Sequence, residues 1–253
     1  MQFCEQVLGV QKGTTNNGVL LEIGRVPITL NAQKATIKNW ERIRNYETNY
    51  LLNISHKNAK EANLEWLRRV DFCLSEKGMG NFFMENQPFT KNINNKFFQR
   101  ANDIFYQGAF TSMENANSKL RTYNQVKKNI GQESYLTSIH NTNFRVSMSK
   151  FRLSNHRLKI ETGRHQKLPI SERLCPTCEN EIEDEAHFLI KCGLYQESRK
   201  PLLKLCRDIK PNFQYFTIMQ KFVFLMTNPQ LAYDVAKFIF NAMKVRAERE
   251  NTP

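Results

Sequence analysis

Residues 172–192 read ERLCPTCENEIEDEAHFLIKC, and four of their side chains converge on one chemistry. Cys175, Cys178, His187 and Cys192 follow the spacing Cys-x2-Cys-x8-His-x4-Cys within eighteen residues. Two thiolates separated by two residues chelate one ion from a single tight turn, and Pro176-Thr177 suits that turn because proline fixes φ. Eight residues then close a loop back to His187. His187 and Cys192 lie about one short turn apart, so both can face the same point. Three sulfurs and one imidazole select zinc in a tetrahedral site. Four protein ligands leave no position for water, so the expectation is one structural Zn2+ and not a catalytic one. The loop between the ligand pairs is acidic, with Glu179, Glu181, Glu183, Asp184 and Glu185. Acids just before His187 suit the first turn of a helix. Phe188, Leu189 and Ile190 supply apolar cover for a module too small to fold without its metal.

Upstream of this stretch the charge reverses. Arg145, Lys150, Arg152, Arg157, Lys159, Arg164, Lys167 and Arg173 face only Glu161 and Glu172. Lys150, Arg157 and Arg164 are spaced by seven, which in a helix makes a basic stripe that neutralises phosphates in a salt-sensitive way. Phe144, Phe151, Phe188 and Tyr195 are placed to stack on unpaired bases, as in single-strand binders. The alternative is a solvated basic face partly neutralised by the acidic loop beside it.

The whole chain agrees with an anionic partner. Its 37 Lys and Arg outnumber 24 Asp and Glu, giving +13 over 253 residues. Such a surplus points first to nucleic acid, here RNA or single-stranded DNA. No signal peptide is apparent, and the most apolar run, 213–226, is broken by Gln214, Gln220 and Lys221, so no membrane partner is expected. A cytoplasmic or nuclear location follows, where thiols stay reduced. Six cysteines occur, and the clustering of three of them favours metal over disulfide. Cys4 and Cys73 read as buried thiols, and Cys206 as a possible substitute ligand. His56, His140, His156 and His165 read as surface or packing residues.

Outside the cluster the sequence is mainly α. Apolar residues recur at helical spacing over 32–52, with Asn31 as cap, and over 59–76, where Gly78-Met-Gly80 stops the helix. Helices are also expected over 94–128, 143–154, 194–209, 213–227 and 230–248. Residues 157–173, broken by Gly163 and Pro169, read as loop. The expected organisation is a helical region over 1–142, a basic arm with zinc knuckle over 143–200, and C-terminal helices of unassigned role over 201–253.

Several segments resemble one family. These are Lys150-Phe-Arg-Leu-Ser-Asn-His156, Leu158-Lys-Ile-Glu-Thr-Gly163-Arg164, and Glu172-Arg-Leu-Cys175 with Ile182 to Cys192, continued by Tyr195 and Arg199. Together they resemble the C-terminal part of LINE-type (non-LTR) retrotransposon reverse transcriptases, where a Cys-Cys-His-Cys knuckle follows the polymerase. Leu8-Gly-Val10, Asn16-Asn17, Glu22-Ile-Gly24-Arg25-Val-Pro27 and Trp40 are similar to the segment after the polymerase palm and thumb. The resemblance spans about 1–200 and is weak over 32–143. It implies a thumb- or linker-like N-terminal region and a role in holding nucleic acid. The chain departs from the family where catalysis would sit. Its five aspartates, Asp71, Asp103, Asp184, Asp208 and Asp234, include no adjacent pair to hold two magnesium ions. No endonuclease acids are apparent either, so no enzyme activity is expected. The competing expectations are a helical protein-interaction module with a purely structural zinc, and a transposon relic without function.

Overall fold

The structure, a computed structural model, describes residues 1–44, 50–84, 91–114 and 118–250, and the side chains of all of these except 91–93 and 250. It is mainly α. The helices are α1 Gln2–Leu8, α2 Asn16–Glu22, α3 Ile28–Arg44, α4 Tyr50–Glu61, α5 Glu65–Glu76, α6 Asn81–Met84, α7 Lys91–Glu114, α8 Tyr123–Val126, α9 Tyr135–Ser138, α10 Thr142–Arg152, α11 Lys159–His165, α12 Gln196–Ile209, α13 Ile218–Thr227 and α14 Ala232–Glu250. Among the described residues there is no strand, only two isolated antiparallel bridges, Ile23–Gln132 and Leu174–Ile182. No described helix is long and apolar enough to cross a membrane.

Several element boundaries differ from the sequence reading. The helix at 32–52 begins earlier, at Ile28, which places Asn31 inside it, and residues 45–49 lie outside the described part. The helix expected over 59–76 is two, broken where Asn63 adopts φ 50°. Gly78 does end α5, at φ +65°, with Met79 N–H returning to the Leu74 carbonyl at 2.8 Å. The long helix over 94–128 stops at Glu114, residues 115–117 lie outside the described part, and only the short α8 follows. Residues 157–173 are not a loop: α11 and a 3-10 turn at Ile170–Glu172 occupy them.

The contacts divide the chain into two compact units, residues 1–25 with 110–253 and residues 26–109. The first unit is assembled from segments far apart in sequence, and it joins residues 1–25 to the 143–200 arm and the 201–253 helices. In it α10 packs along α14, with Phe144 against Tyr233 and Phe240 at 5.5 and 5.4 Å between ring centroids. Asn141 caps α10 by accepting from the Asn143 and Phe144 N–H groups, satisfying two donors a helix start leaves orphaned. Gly24 closes the Ile23–Gln132 bridge at φ +63°, and a Cβ there would sit 2.2 Å from the Gln132 nitrogen. The second unit closes over Ile37, Trp40, Leu67, Val70, Leu74 and Phe97, a core of helical stripes.

Candidate metal centre

The Cys175-Pro-Thr-Cys178 turn opens a short hairpin. Cys175 N–H donates to the Glu181 carbonyl at 2.8 Å and Glu183 N–H to the Arg173 carbonyl at 2.9 Å, so the two sides run antiparallel. Glu179 turns the chain at φ +57°. Asp184 then caps the next segment, accepting from His187 N–H at 2.7 Å. That segment, His187–Lys191, is a π-helical turn, with Cys192 N–H bonded to the His187 carbonyl at 2.9 Å. The wider turn matters. In an α-helix, residues five apart point about 140° away from each other; the π turn brings His187 and Cys192 to one side.

The ligand atoms of Cys175, Cys178, His187 and Cys192 lie within 4.8 Å of one another. The Cys192 sulfur is 3.9 Å from that of Cys175 and 3.8 Å from that of Cys178. Sulfurs about 2.3 Å from a tetrahedral centre stand about 3.8 Å apart, so the cage has the dimensions of a metal site. His187 is oriented for it. Its Nδ1 donates to Glu181 Oε2 at 2.9 Å, while its buried Nε2 has no hydrogen-bond partner. A carboxylate behind the distal nitrogen fixes the tautomer that presents a lone pair to a metal. The four residues can therefore hold a metal ion.

The electrostatics point the same way. Without a cation, burial pushes the Cys192 thiol up to about 12, and the adjacent Cys175 adds to the effect. A metal ion supplies the charge that such a cluster needs to lose its protons. Buried Arg199 stands beside it, donating to the carbonyls of Cys192 and Phe188 at 2.9 and 3.1 Å. Its burial lowers the Arg199 pKa, and the nearby Cys192 opposes that. Lys191 and then His187 lower Glu181 through their hydrogen bonds.

The cluster is not a free-standing module. Phe188 is wholly buried, 4.7 Å from Tyr195, 5.5 Å from Phe151 and 6.2 Å from Phe238 between ring centroids. Phe151, Phe188 and Tyr195 therefore cannot stack on bases as expected, because each is packed into the core; Phe144 is half-buried between Tyr233 and Phe240. Two acids of the loop, Glu183 and Glu185, are drawn inward too. Glu183 meets Arg246 of α14 with both oxygens at 2.8 and 2.9 Å, and Glu185 meets Arg121 at 3.0 Å and His156 at 3.1 Å. Burial alone would raise Glu185, but the His156 hydrogen bond and Arg121 bring it down to about 2.

The basic arm is likewise sorted. The stripe through Lys150, Arg157 and Arg164 does not form, since α10 ends at Arg152. Arg152 is 2% exposed and holds Glu22 at 2.6 Å and Glu133 at 2.7 Å, which removes it from the phosphate contacts. Arg173 donates to the carbonyls of Leu168 and Ile160, and Gly163 allows its stem to pass, since a Cβ there would sit 2.7 Å from Arg173 Cγ. Arg145 donates to the Ile139 carbonyl at 2.9 Å, and Arg164 to Glu161 at 2.7 Å. Lys159 is half-buried, and Arg157 and Lys167 are exposed. Lys150 and Arg157 are brought together at one cavity. Cys206 is buried outside the cluster, and Cys4 and Cys73 are only half-buried.

The sequence reading missed Arg121, Arg246, Glu22 and Glu133, and it placed His156 without a partner. Nothing local marks them, because each finds its partner across the fold. Comparison with protein-family models, with curated proteins and with solved structures finds no match to this chain.

Proposed function

We propose that this chain is a zinc-stabilised module that binds single-stranded nucleic acid, RNA or DNA, without a catalytic role. The observation that carries the reading is where its charge sits. Among the described residues five glutamates are buried, Glu5, Glu22, Glu161, Glu183 and Glu185, together with the cations Lys127, Arg152, Arg199 and Arg246. The interior charges nearly cancel, so the surplus of +13 is a surface property. A surface of that sign attracts polyanions. Zinc is the ion that suits three thiolates and one imidazole in a closed tetrahedral cage, and when bound it supplies structure only. The resemblance to the post-polymerase region of non-LTR retrotransposon reverse transcriptases supports the same role, as does the lack of adjacent aspartates for polymerase chemistry.

The test is metal analysis of the purified chain with a titration against single-stranded RNA and DNA at rising salt. One zinc per chain and an affinity that falls steeply with salt are expected. Full affinity retained at high salt would overturn the electrostatic reading. A second reading, a protein-binding role, is favoured for residues 26–109 by exposed Ile28, Tyr50, Leu51 and Phe72, which are 63–82% accessible. Association with a protein in the absence of any nucleic-acid binding would support it.

A further inference from the structure

A cavity of about 360 Å3 opens on the first unit between α10, the turn that follows it and α14. Ser147, Lys150, Asn155 and Arg157 form its polar wall, and Ile239 and Met243 are on its apolar side. No carboxylate lines it. That absence is informative in a unit where Arg121, Arg152, Arg164 and Arg246 take up buried carboxylates. Glu183 is committed to Arg246, and Glu185 to Arg121 and His156. Lys150 and Arg157 have no ion pair or side-chain hydrogen bond among the described residues, unlike Arg152, Arg164 and Arg173. Asn155 accepts from Gln11 N–H at 3.1 Å through its Oδ1, which leaves its amide NH2 to donate. His156, also in the wall, has a side chain only 3% exposed, and its Nδ1 has no partner. The wall thus holds two unpaired cations and a free amide NH2 with no carboxylate, beside an apolar surface, in a volume within the range of small-ligand sites.

We propose that this cavity takes one nucleotide, with its phosphate at Lys150 and Arg157 and its sugar or base against Ile239 and Met243. The proposal rests on the nucleic-acid-binding reading and gives it a location. Charge-assisted donors on a phosphate are the strong kind of hydrogen bond. The phosphate can belong to a strand or to a free nucleotide, and the experiment separates the two.

Full-length protein is titrated with a labelled single-stranded oligonucleotide, as wild type, as Lys150→Gln/Arg157→Gln, and as the control Lys204→Gln/Lys210→Gln, which changes two exposed lysines of the same unit. AMP and inorganic phosphate are added as competitors and titrated alone by NMR. Metal content and far-UV circular dichroism verify that each variant is folded. The proposal expects the first variant to bind at least about tenfold more weakly, with a salt slope lower by about two, and the control to lose much less. It also expects AMP to compete better than inorganic phosphate. Equal binding by the first variant and the control overturns the cavity while the nucleic-acid reading stands. Competition by phosphate equal to that by AMP overturns the nucleotide assignment. AMP binding that depends on Lys150 and Arg157, with no strand bound, supports the cavity while the nucleic-acid reading fails. Binding of neither overturns both.

Discussion

The two units of this chain solve the problem of a stable interior in opposite ways. Residues 26–109 have no ion pair buried on both sides among those described, and the Lys77 side chain, 9% exposed, is their most enclosed charge in an ion pair; their core is Trp40 stacked on Phe83 at 5.7 Å, with Leu67, Val70, Leu74 and Phe97 around it. Their ion pairs, such as Glu65 with Arg68 and Arg69, lie on the surface. The other unit buries ion pairs throughout. Arg152 bridges Glu22 and Glu133, Lys127 meets Glu133 at 2.6 Å, and Tyr135 donates to Glu22 at 2.6 Å. Apolar packing is forgiving of detail, because any well-shaped hydrophobic group of suitable volume serves. A buried ionic network is not, since each member left alone keeps its full desolvation cost. The metal cluster behaves like the ionic network, as a set of polar groups that destabilises the fold unless it is complete.

On the proposed reading that the cluster holds zinc, removing it should disturb this contrast most. Chelation, or Cys178→Ser, should open the 175–192 hairpin and destabilise its unit by the largest amount of any change, since structural zinc contributes on the order of 10 kcal/mol in small modules. Hydrogen exchange should then rise in α10, α12 and α14 and stay unchanged in α5. Rapid exchange throughout α5 would show that the two interiors are not separately maintained. Next in size is Arg152→Met, which leaves the buried Glu22 without a cation, while Glu133 keeps Lys127; a loss of about 3–5 kcal/mol is expected in chemical denaturation. A loss below about 1 kcal/mol would mean that the network can rearrange around the gap. In the apolar unit, Leu74→Ala should cost about 2–5 kcal/mol, with little change between low and high salt. A marked salt dependence there would blur the contrast. The smallest effect is expected for Glu181→Gln, which weakens the acceptor behind His187 Nδ1. Metal affinity should drop about 10- to 100-fold, or roughly 1.4–2.8 kcal/mol, as read by competition with a chromophoric chelator. Unchanged affinity would show that the imidazole is oriented by packing alone.

The helical class and the four residues that can hold a metal ion were legible because both are written locally. A stripe at helical spacing and a Cys-x2-Cys turn need only neighbours in sequence. The stop at Gly78 was legible for the same reason. The start of α3 before Asn31, the break at Asn63 and the early end of α7 were not, because there tertiary packing outweighs weak local preference. The aromatic residues mark the limit most clearly. Phe151, Phe188 and Tyr195 beside a basic segment look like stacking platforms, yet the same side chains make the core that seats the hairpin.

Composition and short-range spacing are enough to specify a mainly helical chain, a strongly positive charge and a cluster of four residues that can hold a metal ion. They do not specify which cations of the 145–173 arm are already paired, because those pairs form only when distant segments meet in the folded chain. Arg152 reaches Glu22 across 130 residues and Arg246 reaches Glu183 across 63, and no local pattern encodes such pairs. Lys150 and Arg157 are left at a cavity without an acid, so on the reading proposed here the arm acts through its unpaired members and not through its total charge.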